Sequence, residues 1–217
     1  MRVLSFQIFF TVIFLGALLG RQFSAEDELL EFEASLKSVQ SFAKADNERL
    51  LKVKKVTGII DNFNPKMATD LKQAITTEIY NMSIKYPNLD IELICATITH
   101  ESARTWNPAV VSKAGAIGLM QIMPATGKWL AKYEDFEWQS AEKTLVNPVY
   151  NIRLGSRYLS ALIETYDLDG GLAAYNGGEK RVGMWLAQNK LDSVLWPETR
   201  KYVPSVLELY NEYRNTL

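Results

Sequence analysis

The chain has 217 residues with 24 basic and 25 acidic side chains, a formal charge of −1 that gives no global attraction to nucleic acid or to an anionic membrane surface. Its 47% hydrophobic and 11% aromatic content is enough for a packed core and excludes a disordered tail. The lone Cys95 excludes an internal disulfide, and with the lone His100 it cannot by itself supply a zinc site.

Residues 1–25 read as a signal peptide or N-terminal membrane anchor. Arg2 precedes an uncharged run from Val3 to Gly20 dominated by Leu, Ile, Phe and Val. Residues 3–20 approach the length that spans a bilayer, so they also carry the expected membrane association. Cleavage after Ala25 would put Phe23 where a small residue is wanted, and no cysteine follows the run to accept a lipid. The expected location is the periplasm or cell envelope after export, with anchoring if the segment is retained.

Residues 26–65 form an N-terminal helical extension. Leu29, Phe32, Leu36, Val39, Ala43, Leu50, Val53 and Ile60 fall at three-and-four spacing, interrupted at Asp46 and Thr57, which predicts one or two amphipathic helices packed on their own domain or forming a short stalk. A break is expected at residues 62–65, so the catalytic domain is placed at residues 66–217.

Leu71, Ala74, Ile75, Ile79, Met82 and Tyr86 make the next helical stripe, ended by Tyr86-Pro87-Asn88. A helix starting near Asp90 carries Ile91, Ile94, Cys95 and Ile98, and the same spacing reaches Glu101 and Ser102. A Gly-rich stretch, Ala114-Gly115-Ala116-Ile117-Gly118, precedes a helix after Pro124. A long stripe follows through Ile152, Gly155, Tyr158, Leu159, Leu162 and Tyr166, then a helix over 172–175 and a last one over 200–210 with a kink at Pro204. No alternating strand pattern of useful length appears. The fold class is all-α, mainly helical.

Glu101 is the chemical focus. A carboxyl at the end of a buried stripe stays protonated or finds donors, because an unpaired buried charge is costly. The negative end of its helix dipole pushes the same way, and a carboxylic acid kept neutral near pH 7 is what a general acid requires. The alternative at this stage is a capping or salt-bridged glutamate with Arg104 as partner. His100 and Ser102 do not make a nucleophile and base, since residues two apart on a helix do not face each other. Trp106 and Trp129 are either buried anchors or sugar platforms, and the first use is the more frequent one.

Four blocks follow in order: Glu101-Ser102 with Trp106-Asn107-Pro108; Gly115 to Thr126, which includes Gly118-Leu119-Met120-Gln121; Ala173-Ala174-Tyr175-Asn176-Gly177-Gly178; and Glu198-Thr199-Arg200-Lys201-Tyr202-Val203. In order and spacing they resemble the soluble lytic transglycosylase family over a motif core at 88–217. The resemblance implies a lysozyme-like catalytic domain, here preceded by N-terminal amphipathic helices, acting without a cofactor or metal on the glycan strands of peptidoglycan. It implies Glu101 as the one carboxylate that acts as acid and then as base on the bond between N-acetylmuramic acid and N-acetylglucosamine, leaving 1,6-anhydromuramic ends. Ser102, Met120, Gln121, Tyr175, Asn176 and Tyr202 are the substrate-binding residues it implies, with Glu198 holding its loop; for Met120 core packing is the alternative and the more frequent use. Between Ser102 and Tyr133 there is no Asp or Glu, whereas ordinary glycoside hydrolysis uses a second carboxylate across the bond. Two other readings stay open at this point: a lysozyme-like hydrolase, or a wall-binding assembly protein without turnover. The sequence departs from the family pattern at Ala103-Arg104-Thr105, which lengthens the loop after the glutamate, and at Gly177, where alanine is usual.

Overall fold

The structure, a computed structural model, describes the backbone of residues 2–215 and the side chains of residues 26–215. The export or anchor expectation for residues 1–25 lies outside the described side chains. Among the described residues no helix is long and apolar enough to cross a membrane.

Helix α1 runs unbroken from Arg2 to Phe63, so the interruptions expected at Asp46 and Thr57 do not occur. Both polar residues are accommodated within the helix: Asp46 lies 4.0 Å from Arg49, one turn on, and the Thr57 hydroxyl donates to the Val53 carbonyl at 2.8 Å. The chain divides into two compact units, Met1–Leu50 and Leu51–Leu217. In the first, the described apolar stripe is exposed, with Leu29, Phe32, Leu36 and Val39 all open to solvent. In the second, Val56, Ile59 and Ile60 are buried in the main core. The compact unit therefore begins at Leu51, earlier than the boundary expected at residue 66. The helix ends before Asn64-Pro65, where the break was read.

Within the second unit, α2 (Thr69–Lys85) buries Ile75, Ile79 and Met82 and is closed when the Tyr86 N–H reaches the Met82 carbonyl. Asp90 caps α3 (Ile91–Glu101) by accepting from the Leu93 N–H at 2.8 Å. Every residue of α3 from Leu93 to Thr99 is buried, so it is the central helix of the fold. Lys55 ties the end of α1 to it through Glu92 at 2.8 Å.

Two short helices follow, α4 (Pro124–Leu130) and α5 (Ala141–Val146), the latter capped by Ser140. Helix α6 (Pro148–Gly177) opens with Asn147 accepting from the Val149 and Tyr150 N–H groups and with proline at its first position. It is bent at Asp167, whose φ of 61° and ψ of −179° are not helical. The separate helix expected over 172–175 is the second arm of this bent element. Helix α7 (Glu179–Ala187) and helix α8 (Pro197–Asn215) complete the unit, and α8 continues through Pro204. Among the described residues there is no strand, only isolated bridges joining Ile117 to Val111 and to Ile122. The all-α class is as expected.

Candidate active site

Glu101 is the last residue of α3, where Ser102 caps the helix by donating its N–H to the Ile98 carbonyl at 2.9 Å. The residue keeps an opening to the surface while protein surrounds its carboxyl group. Burial lifts that carboxyl from its ordinary 4.5 to about 7; the Tyr202 hydroxyl pulls it back down, and the Glu198 carboxylate pushes it further up. Among the described residues Arg104 makes no ion pair with Glu101, so the salt-bridged alternative is not what this helix end does. Arg104 instead acts on His100, whose proton affinity is lowered first by burial and then by that guanidinium, with Glu198 opposing.

The lengthened loop after Glu101 takes a demanding path. Ala103, Arg104 and Trp106 all have left-handed backbone, at φ of 51°, 60° and 48°, a conformation unfavourable for residues with a Cβ. Buried bonds hold it there. The Ser102 hydroxyl accepts from the Trp106 N–H at 3.1 Å, and the Trp106 indole donates to the Thr99 hydroxyl at 3.0 Å, which in turn meets the Tyr213 hydroxyl. Ser102 is thus a fully buried loop anchor, and Trp106 is a buried anchor too.

The Gly-rich loop is fixed from α6 by Asn151, a buried residue that the sequence reading did not single out. Its Oδ1 accepts from the Met120 N–H at 2.7 Å, and its Nδ2 donates to the Ile117 and Leu145 carbonyls at 2.8 and 3.0 Å. Gly118 has φ of 85°, and a Cβ there would lie 2.3 Å from Asn151 Nδ2 and 2.4 Å from the Leu145 carbonyl oxygen. Glycine is the residue that fits. The signal for Asn151 was a polar side chain beside an apolar stripe, which is costly unless fully hydrogen-bonded.

Met120 is placed in the core, not on a cleft surface: its side chain is fully buried, and a Cβ on Gly155 would collide with its sulfur at 2.4 Å. It reaches the site through its backbone, because the Tyr175 hydroxyl donates to the Met120 carbonyl at 2.8 Å. The Gln121 amide nitrogen is spent on the Gly118 and Val110 carbonyls at 2.9 and 3.3 Å. The Asn176 side-chain oxygen accepts from the Thr199 hydroxyl at 2.7 Å, joining the end of α6 to the start of α8.

The structure therefore gathers Glu101, Tyr175 and Tyr202. Both phenols are pushed well above their ordinary range, first by burial and then by the Glu101 charge. The Tyr202 hydroxyl is buried without a hydrogen bond of standard geometry, yet it approaches Glu101 closely enough to lower the affinity of that carboxyl for its proton. The edge of His100 meets the Tyr202 ring with centroids 4.7 Å apart. Glu198 is exposed on the first turn of α8. Among the described residues no cluster of His, Cys, Asp and Glu is arranged to hold a metal ion. Such a site can deliver one proton near neutral pH and take one back.

Residues 78–193, more than half of the chain, match the family model described as the transglycosylase SLT domain. The chain belongs to the transglycosylase SLT domain family. It is 36% identical over 129 residues to the soluble lytic murein transglycosylase of Escherichia coli K12, a match covering 55% of this chain and 20% of that protein. With the membrane-bound lytic murein transglycosylase C of Histophilus somni strain 2336 it shares 30% identity over 209 residues, covering 83% of this chain and 56% of the relative. The X-ray structure of an inactive Glu-to-Gln mutant of the lytic transglycosylase Slt from Pseudomonas aeruginosa matches 71% of this chain and 25% of that one, with a TM-score of 0.57 and 29% identity. The chain spans about a fifth to a quarter of the length of these soluble relatives. The matched part of this SLT-domain chain is thus similar to a segment that these soluble relatives carry inside larger proteins.

Proposed function

We propose that this protein is a peptidoglycan lytic transglycosylase working in the cell envelope after export. Glu101, protonated, donates to the oxygen of the β-1,4 bond between N-acetylmuramic acid and N-acetylglucosamine. The C1–O bond breaks and the proton leaves with the N-acetylglucosamine 4-hydroxyl. The muramyl C6 oxygen then closes on C1, and Glu101, now a carboxylate, takes the C6 hydroxyl proton. No water enters the product, and the catalytic acid is restored.

The observation that carries this reading is a Glu101 carboxyl raised to about 7 by burial, beside the buried Tyr202 and the half-buried Tyr175. At neutral pH both of its protonation states are populated, which suits one group that must act first as acid and then as base. Tyr202 is the donor that steadies the carboxylate after the first step. Tyr175, tethered to the Met120 carbonyl, offers its ring to the sugar. Gln121 and Asn176, whose side chains are partly committed to the loop and to α8, line the cleft for acetamido and hydroxyl groups, while Ser102 and Met120 shape it from beneath. The relatives named above are murein transglycosylases, which supports the substrate class.

Replacing Glu101 by Gln keeps the shape and removes the titrating proton. The Glu101→Gln protein is expected to bind purified glycan strands while releasing no soluble fragments from peptidoglycan. Release at the wild-type rate would remove Glu101 from the chemistry.

A further inference from the structure

The first compact unit is a single helix. Among its described residues, 26–50, α1 is the only element, and every side chain of that stretch is exposed. Leu29, Phe32, Leu36 and Val39 are between 46% and 66% exposed, and Phe42 and Leu50 are open as well. Scattered apolar side chains on a surface are ordinary, but a contiguous apolar stripe marks a surface that meets something. A helix in water also draws most of its stability from packing such a face.

The spacing says what kind of surface packs there. Leu29, Phe32, Leu36, Val39, Ala43, Asp46 and Leu50 alternate steps of three and four residues through three heptads, with Asp46 as the one polar member. That repeat is the seam along which one helix lies on another.

The charges say which helix it is. Residues 26–33 carry five carboxylates and no cation, whereas residues 44–55 carry five cations against two carboxylates. Lys55 is taken up by Glu92, while Lys44, Lys52 and Lys54 stay exposed. Two copies of this helix running in the same direction would set acid beside acid and base beside base, with Asp46 facing Asp46 across the seam. Running in opposite directions, the acidic start of each copy meets the basic end of the other, and symmetry makes the match twice. A patch that is complementary to itself is what a two-fold interface requires.

We propose that α1 is a dimerisation element, in which residues 26–50 of two copies of this chain pair as an antiparallel coiled coil. The two chains then continue past Leu51 from opposite ends of the pair. The pairing is independent of the reaction at Glu101.

The test uses the full chain, expressed for export and purified from the envelope. Sedimentation velocity is expected to show a dimer at micromolar concentration. Leu36→Glu combined with Val39→Glu places carboxylates in the seam of both copies and is expected to raise the dimer dissociation constant about a hundredfold or more. Both residues are exposed within the chain, so the melting of the catalytic unit and the release of glycan fragments are expected to stay at wild-type values. Direction is read from a spin label on Asp27→Cys, since the native Cys95 is buried and stays unlabelled. With about 1.5 Å of rise per residue, the two labels of an antiparallel pair lie about 30 Å or more apart. A protein that is monomeric at every concentration, a dimer left intact by Leu36→Glu with Val39→Glu, or labels closer than that distance would overturn the proposal. So would a monomer whose stripe binds phosphatidylglycerol vesicles, which would make a lipid surface the occupant.

Discussion

Burying a carboxyl at the end of α3 sets both the working range and the stability of the protein. Glu101 holds its proton up to about pH 7 when folded, against an ordinary 4.5. Between those two values the folded chain binds a proton that the unfolded chain has released, so stability falls as pH rises through this window and levels off above it. Glu101→Gln lacks this penalty. The variant is expected to be more stable than wild type above pH 7, by up to about 3 kcal/mol, and nearly equal below pH 4.5; urea denaturation at pH 4.5 and 8 measures the difference, and equal stabilities at both would contradict it. Because the acid must be protonated, kcat/KM is expected to decline as pH rises above about 7. Tyr202→Phe removes the hydroxyl that steadies the carboxylate, so the alkaline limb of that profile is expected to move to higher pH with a lower maximum rate. An unmoved limb would mean that Tyr202 packs against the site without acting on the proton.

At the scale of elements, the loop carrying Gly118 to Gln121 depends on one buried amide. Asn151→Ala strands the Met120 N–H and the Leu145 carbonyl and leaves the Ile117 carbonyl with the Ile122 N–H alone, which is expected to cost about 2–4 kcal/mol. Activity is expected to fall with it, because the Met120 carbonyl that holds Tyr175 loses its support. Stability and glycan release measured on the same preparation check both. In the sequence the one signal for Asn151 is a polar side chain next to Ile152 of the apolar stripe, and no motif says which groups it holds. Apolar spacing alone located α2, α3 and both arms of α6, and it put Glu101 at a buried helix end. Spacing misled at Asp46 and Thr57, since a polar residue breaks a stripe without breaking a helix when its side chain bonds to the preceding or following turn. Spacing carried the buried stripe as far as Ser102, which is buried, but it could not place Met120, which lies in a loop where helical periodicity no longer reports which side is buried.

For the whole molecule, the residues that define the catalytic unit extend back into α1. Val56, Ile59 and Ile60 are buried in the main core, and removing them by starting the chain at Lys66 is expected to cost about 5 kcal/mol or more at roughly 1.5–3 kcal/mol for each side chain. A chain starting at Leu51 keeps them and is expected to melt within a few degrees of the full protein; circular dichroism on the two truncations separates these outcomes. The exposed stripe of residues 29–50 belongs to the other unit. The central claim concerns the reaction itself, one carboxylate acting twice with no water entering. Mass analysis of the muropeptides released from purified peptidoglycan tests it most directly. The account predicts 1,6-anhydromuramic ends, about 18 Da lighter than reducing ends because water is not consumed; a product dominated by reducing ends would contradict it and make the protein a lysozyme-like hydrolase.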